Sequence, residues 1–229
     1  MNIIITGASK GLGKAFANIF AQKNNTLLLC ARNIEDLKNT AKELEHKTTV
    51  HYKAVDVSKK NQVTDFANWC LSFGTPTIVI NNAGVFVPSA IHNELDGVLE
   101  QMIDTNLYSA YYLTKQLLPQ MMAKKDGHIF NICSIASIQA YSNGGSYSIS
   151  KFAMLGLSKN LREELKPFNI KVTSVLPGAV YTNSWAGSGV DKTRIMEDND
   201  IAKMVFAAAQ LSPQACVEEI VLRPQLGDL

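Results

Sequence analysis

Short β-branched or leucine-rich runs alternate with longer stretches of helical periodicity along the whole chain, and this alternation limits the fold more than any other feature. The runs are Asn2 to Thr6, Thr26 to Ala31, Thr49 to Val55, Thr77 to Asn81, His128 to Ser134 and Lys171 to Leu176, and Cys216 to Leu222 would add a seventh strand. Their near-continuous apolar character suits parallel strands covered on both faces. Between them lie amphipathic stretches: Gly11 to Lys23, Ile34 to His46, Asn61 to Phe73, Leu95 to Met122, Ser146 to Lys166 and Asp200 to Leu211. Crossovers between parallel strands are right-handed, so their repetition lays helices on both faces of one sheet. The expectation is a single α/β domain, residues 1–229, built on a doubly wound parallel sheet of about seven strands.

Composition narrows the function. A chain of 229 residues with 46% hydrophobic residues can fill one large core, and no repeat or Pro/Gly-rich linker divides it. Net charge is +2 with Lys and Arg scattered, so nothing marks a nucleic-acid partner. No membrane-length apolar stretch or leader pattern is present, and Cys30, Cys70, Cys133 and Cys216 lie far apart without metal-ligand spacing. The expectation is a cytoplasmic protein with neither a membrane partner nor a metal. Residues 181–199, rich in Gly, Ser, Asn and Asp, follow a strand where a substrate lid belongs.

The turn Thr6-Gly7-Ala8-Ser9-Lys10-Gly11-Leu12-Gly13 follows the first strand and opens the first helix. Gly7 permits the tight turn, Gly11 lets backbone approach a pyrophosphate, and Gly13 brings helix and sheet together. The second strand ends Ala31-Arg32-Asn33, without the acid that holds ribose hydroxyls in NAD sites. Arg32 can meet a 2′-phosphate with its planar fork and Lys10 can add a second positive charge. NADP(H) is therefore the expected cofactor.

Ser134 is placed at the end of the fifth strand, Tyr147 at the start of the following helix, and Lys151 four residues later on the same helical face. A carbonyl that accepts hydride becomes an alkoxide, so its site must donate a proton and hold the oxygen. Tyr147 is the expected acid. An ammonium at ~4 Å attracts a phenolate by on the order of 4 kcal/mol at an effective dielectric near 20, so Lys151 is expected to lower the phenol pKa.

These marks, with Asn81-Asn82-Ala83-Gly84, Asn106 and Pro177-Gly178-Ala179-Val180-Tyr181-Thr182, resemble in order and spacing the short-chain dehydrogenase/reductase family, whose domain is of Rossmann type. The resemblance implies that Lys151 also holds the nicotinamide ribose, that Ser134 hydrogen-bonds the substrate oxygen, and that Asn106 fixes a helix kink and a water. It further places Asn82, Ala83 and Gly84 beneath the cofactor, Asp56 and Val57 against adenine, and Pro177, Gly178, Val180 and Thr182 around the carboxamide. The helices Leu95 to Met122 and Ser146 to Lys166 pair across a two-fold axis in the family, implying a homodimer or homotetramer.

The lid and a specificity tail at about residues 216–229 resemble the bacterial sepiapterin reductase-like branch. The resemblance implies a pterin side-chain ketone as substrate, with Trp185 as a stacking wall and Asp228 accepting from pterin N–H groups. Asp228 stands beside the last residue, where chain ends usually fray. Reduction of another ketone (a 3-oxoacyl thioester, a diketone or a small alcohol/ketone pair) and non-catalytic NADP(H) sensing are the alternatives.

Overall fold

The computed structural model describes residues 1–182 and 189–228. Seven parallel strands form one sheet in the order β3-β2-β1-β4-β5-β6-β7. They are β1 (Asn2–Thr6), β2 (Thr26–Ala31), β3 (Thr49–Ala54), β4 (Ile78–Asn81), β5 (Gly127–Ile132), β6 (Ile170–Pro177) and β7 (Glu219–Leu222). The order reverses between β1 and β4, which opens a crevice above the carboxyl ends of the strands.

Residues of β1 alternate between two cores, as a period of two requires. Ile3 and Ile5 pack with Phe16, Phe20, Ile201 and Val205 under α1 (Gly11–Phe20), α2 (Ile34–Leu44) and α7 (Asp198–Ala209). Ile4 packs with Phe66, Leu113, Leu117 and Leu161 under α3 (Lys60–Leu71), α5 (Ser109–Lys124) and α6 (Gly145–Leu165). The expected doubly wound domain is present. β3 is a correction: it lies at the sheet edge with its ends exposed and its middle half-buried, so its His51 and Lys53 suit an edge rather than a covered strand.

The stretch read as one helix from Leu95 to Met122 is divided. It comprises α4 (Val98–Ile103), a π turn over Asp104–Tyr108, and α5. The Ser109 amide reaches back five residues to the Asp104 carbonyl. The cause is tertiary. Asn106, at the centre of the turn, accepts from Val85 N at 2.7 Å and donates to Val85 O at 3.0 Å and Ser150 Oγ at 2.9 Å. A wider turn aims this side chain inward, and the expected kink takes that form.

His128 on β5 is buried, stacked on Phe130, with Nε2 2.7 Å from Thr173 Oγ1. The Thr173 hydroxyl donates to Val217 O at 2.5 Å, so its oxygen accepts from His128 Nε2–H. Burial, aided by the Lys171 charge, pushes the imidazole down to about 3. An unfolded histidine titrates near 6.5, so between those values the unfolded chain binds the extra proton and stability falls as pH falls. Wild-type protein should lose on the order of 3 kcal/mol of stability through this group from pH 6.5 to pH 4. His128→Asn should flatten that part of the curve in urea unfolding at stepped pH; an unchanged slope would remove His128 as its source.

Candidate active site

The site grows from the carboxyl ends of β1 and β4. Gly7 turns the chain off β1 with φ of 68°, and a Cβ on Gly13 would lie 2.1 Å from the Gly7 carbonyl oxygen. That position admits only glycine, which lets α1 start against the strand end. The turn is tied to β4 from below. Thr6 Oγ1 accepts from the amides of Asn82 and Ala83, both at 3.0 Å, while Asn82 Nδ2 donates to Thr6 O at 2.8 Å and Gly7 O at 3.3 Å. Lys10 makes no side-chain cap, so the first amides of α1 face the crevice without a side-chain acceptor from that position.

The cofactor residues read from sequence divide by what their side chains do. Leu12, Asn82, Gly84, Pro177, Gly178, Val180 and Thr182 line the crevice. Ser9 lies in the turn and receives the Thr40 hydroxyl on its carbonyl at 3.3 Å. Lys10 is held by Asp36 at 2.7 Å, a half-exposed pair of the sort worth ~0–1 kcal/mol. Asn33 caps α2, its Oδ1 accepting from the amides of Glu35 and Asp36 at 3.0 and 3.2 Å, so that side chain serves the helix. Arg32, exposed at the tip of β2 behind buried Ala31, forms no hydrogen bond or ion pair among the described residues. Asp56 is a turn residue whose Oδ1 accepts from Ser58 N at 3.1 Å and Ser58 Oγ at 2.8 Å, and Val57 beside it is buried. Burial works against the Asp56 charge, but Ser58, Lys59 and Arg32 outweigh it and hold the carboxyl below its usual range.

Ser134, Tyr147 and Lys151 line the same cleft, of about 480 Å³. Ser134 lies two residues beyond β5, a correction to its expected place at the strand end. There it caps the short turn Ile135–Ser137, Oγ accepting from Ala136 N at 3.1 Å while Ser134 N donates to Ser137 Oγ at 3.1 Å. With the Oγ lone pair so engaged, the Ser134 O–H is left to donate into the cleft. Lys151 is buried, donates from Nζ to Ile132 O at 2.8 Å, and stands 5.7 Å from the centre of the Tyr147 ring. Phe86 meets that ring edge-on at 4.8 Å.

The electrostatics correct the expectation that Lys151 lowers the phenol. Burial pushes the Tyr147 phenol above its ordinary value, with a hydrogen bond from Ser134 acting against the rise. Burial also pushes the Lys151 ammonium below its usual range, partly opposed by Cys133. For each group desolvation is the largest influence, because both lie out of water.

The mouth of the cleft contains residues that the sequence reading missed. Phe86, Gln139 and Tyr141 line it, and the Tyr141 phenol is pushed up to about 12 by burial and the nearby Tyr147. Asp228 also lines it and is tethered, contrary to the usual fraying of chain ends. Arg223 NH1 donates to Asp228 Oδ2 at 2.8 Å and Arg223 NH2 to Gln139 Oε1 at 3.1 Å. Arg194 binds the carbonyls of Gly227, Leu226 and Asp228 at 3.0, 3.4 and 3.1 Å. Opposite charges five residues apart in the tail were the available signal for the Arg223 pair. Of the lid, Met196 pairs with Val180 in parallel register, and Trp185 lies outside the described residues.

Among the described residues, no helix is long and apolar enough to cross a membrane, and no group of three or more His, Cys, Asp or Glu can hold a metal ion.

Comparison with known proteins agrees with this geometry. A family model described as short chain dehydrogenase matches residues 1–192. An uncharacterized oxidoreductase of Staphylococcus aureus (strain MRSA252) is 32% identical over 222 residues, covering 96% of each chain. The crystal structure of a metagenomic short-chain oxidoreductase in complex with NADP is similar with a TM-score of 0.86 at 29% identity, covering 98% of this chain and 97% of that one. The alcohol dehydrogenase of the archaeon Thermococcus sibiricus, complexed with 5-hydroxy-NADP, gives 0.90 at 29% identity, covering 98% and 96%. Matched over most of its length by the family model and by a relative of the same size, the chain belongs to the short-chain dehydrogenase family and is an oxidoreductase.

Proposed function

We propose that the chain is an NADPH-dependent carbonyl reductase. The observation that carries this reading is the convergence of Ser134, Tyr147 and Lys151 in one cleft that Leu12 of the glycine turn also lines. The crevice fits a dinucleotide because Cβ atoms at Gly7 and Gly13 would obstruct the turn, the former 3.0 Å from Ala83 Cα. The NADP held by the metagenomic oxidoreductase and the 5-hydroxy-NADP held by the archaeal alcohol dehydrogenase support the same cofactor class. The amides of Gly11, Leu12 and Gly13 would meet the pyrophosphate, Arg32 and Lys10 the 2′-phosphate, Thr182 and Val180 the carboxamide, and Lys151 the ribose. Asp36 would release Lys10 at little cost, since the pair is half-exposed.

When bound, the dinucleotide supplies a hydride. The protein's part is the oxygen. Ser134 donates a hydrogen bond to the substrate carbonyl, and Tyr147 gives its phenolic proton as negative charge develops there. The phenolate left behind stands near the Lys151 ammonium, which balances it. Because burial keeps the phenol protonated through neutral pH, the acid is present for reduction.

The substrate we put first is a sepiapterin-like pterin bearing a side-chain ketone, supported by aromatic Phe86 and Tyr141 in the cleft and a carboxylate at its mouth. A second reading, a small ketone of an alcohol/ketone pair, is favoured by the ion pair of Asp228 with Arg223, which occupies the carboxylate a pterin would need. We also infer a homodimer or homotetramer, supported by exposed Ile149 and Phe152 on α6 and Tyr111 on α5.

NADPH oxidation against sepiapterin, small diketones, simple ketones and oxoacyl thioesters tests the reading. No turnover with any of them alongside tight NADPH binding would favour a sensor. Tyr147→Phe should lower kcat about 10²- to 10⁴-fold with NADPH affinity nearly unchanged, and a fully active variant would refute the proton-donor role. Arg32→Ala should weaken NADPH by roughly 10- to 100-fold, the loss of a charge-assisted hydrogen bond, and leave NADH almost unaffected. Equal losses for both nucleotides would reject the 2′-phosphate assignment. With a pterin substrate, Asp228→Asn should raise KM while diketone KM holds; no change in either favours the small-ketone reading.

A further inference from the structure

The loop that follows β4 meets the catalytic helix in a way that neither the sequence pattern nor the reaction has yet used. Ser89 N donates to Asn143 O at 3.1 Å just before α6 begins. Farther along the loop both oxygens of the Glu94 carboxylate engage Ser146, the residue before Tyr147. Oε1 accepts from the Ser146 amide at 2.8 Å and Oε2 from its hydroxyl. The backbone of α6 is shaped for this contact: Gly145 has φ of 33°, and a Cβ there would lie 2.2 Å from Glu94 Oε1 and 2.4 Å from Ser89 O. The same loop carries Val85, bonded to Asn106, and Phe86, packed on Tyr147.

Tyr147 is the third residue of a helix of 21, within the turn whose amides have no intrahelical partner and which frays first. The body of α6 is fixed independently, through buried Met154, Leu155, Leu161 and Leu165. Its first turn depends on what grips it from outside. Glu94 supplies that grip with a charge-assisted bond to a first-turn amide, at the helix end where a negative charge is favoured. We infer that Glu94 is a positioning residue for the proposed reaction: it fixes the first turn of α6 and thereby where the Tyr147 phenol stands relative to Ser134 and Lys151. This rests on the reading of Tyr147 as the proton donor.

The test uses the full chain with NADPH and a ketone that the wild type reduces. Glu94→Ala should lower kcat roughly 10- to 100-fold, the penalty of a reacting group misplaced by about 1 Å, while NADPH affinity stays within about two-fold. Its alkaline kcat limb should shift as the phenol moves relative to Ser134. Glu94→Gln, whose amide oxygen still accepts from Ser146 N and whose NH₂ donates to Ser146 Oγ, should recover kcat to within about three-fold and restore the wild-type pH profile. Gly145→Ala pushes a methyl into the carboxylate and against Ser89 O at a positive φ, so it should lose at least as much kcat as Glu94→Ala with NADPH affinity again within about two-fold. Where Glu94→Ala loses NADPH binding, Gly145→Ala and Glu94→Gln decide on the same readouts. Wild-type kcat and pH profile in Glu94→Ala, or equal losses in the Ala and Gln variants, would each overturn the inference. A fully active Tyr147→Phe overturns the underlying reading instead, whereas an inactive Tyr147→Phe beside a fully active Glu94→Ala removes only Glu94.

Discussion

The knot between Thr6 and Asn82 is the constraint on which the crevice depends. A doubly wound sheet opens where its strand order reverses, and that opening has no covalent link across it. Thr6 Oγ1 receives two amides from the residues after β4, and the Asn82 side chain returns two hydrogen bonds to Thr6 and Gly7. Both walls are therefore held at one separation. Gly7 and Gly13 come close together, a Cβ on Gly13 falling 2.1 Å from the Gly7 carbonyl oxygen and 2.6 Å from Asn82 Nδ2, so the start of α1 sits against the same knot. The glycine turn and the tie between the strands thus share Thr6, Gly7 and Asn82.

Above that floor, burial sets the balance of protons. Tyr147 and Lys151 are each pushed toward their neutral forms, and neither alone would give up that preference. The Lys151 ammonium stands 5.7 Å from the centre of the Tyr147 ring, so a phenolate formed there would have a positive charge beside it. Ser134 biases Tyr147 toward phenolate, because its oxygen already receives the Ala136 amide and its hydroxyl donates to the phenol. The Ile132 carbonyl holds Lys151 in reach without neutralising it, since a carbonyl dipole favours the ammonium.

The sheet was legible from sequence because its determinants are local. β1 and β2 begin and end where their apolar runs do, and the glycine turn follows from residues within eight positions of one another. Misreadings arose where a distant partner decided the outcome. Asn106 takes its π turn from Val85 and Ser150, 21 and 44 residues away, and helical periodicity contains no trace of either. Lys10, the expected second charge for the 2′-phosphate, also meets Asp36 on the next helix, a contact the glycine pattern does not reveal. Asn33 looked like a strand-tip binder and is a helix cap, although the Glu35-Asp36 pair after it was a readable sign of a helix start. Asp228 was exposed to the expectation of a frayed terminus because Arg194 and Gln139, which anchor the tail, lie 34 and 89 positions away from it in the sequence.

The cleft is lined from regular elements and loops together, and the loops bring the candidate residues to one place. Lys151 is on α6 with its side chain under the sheet end, and Ser134 is fixed by a reciprocal cap two residues beyond β5. The loop after β4 then ties the π turn, the phenol ring and the first turn of α6 into one body through Val85, Phe86 and Glu94. A loop so engaged loses most of its conformational freedom, which suits a wall that must not move during proton transfer. The opposite wall is made differently. There the tail is held by exposed arginine contacts, including the Arg223–Asp228 pair, which water screens and which cost little to break. A site with one rigid wall and one lightly held wall keeps its reacting groups in register while leaving room to admit and release substrate on the tail side.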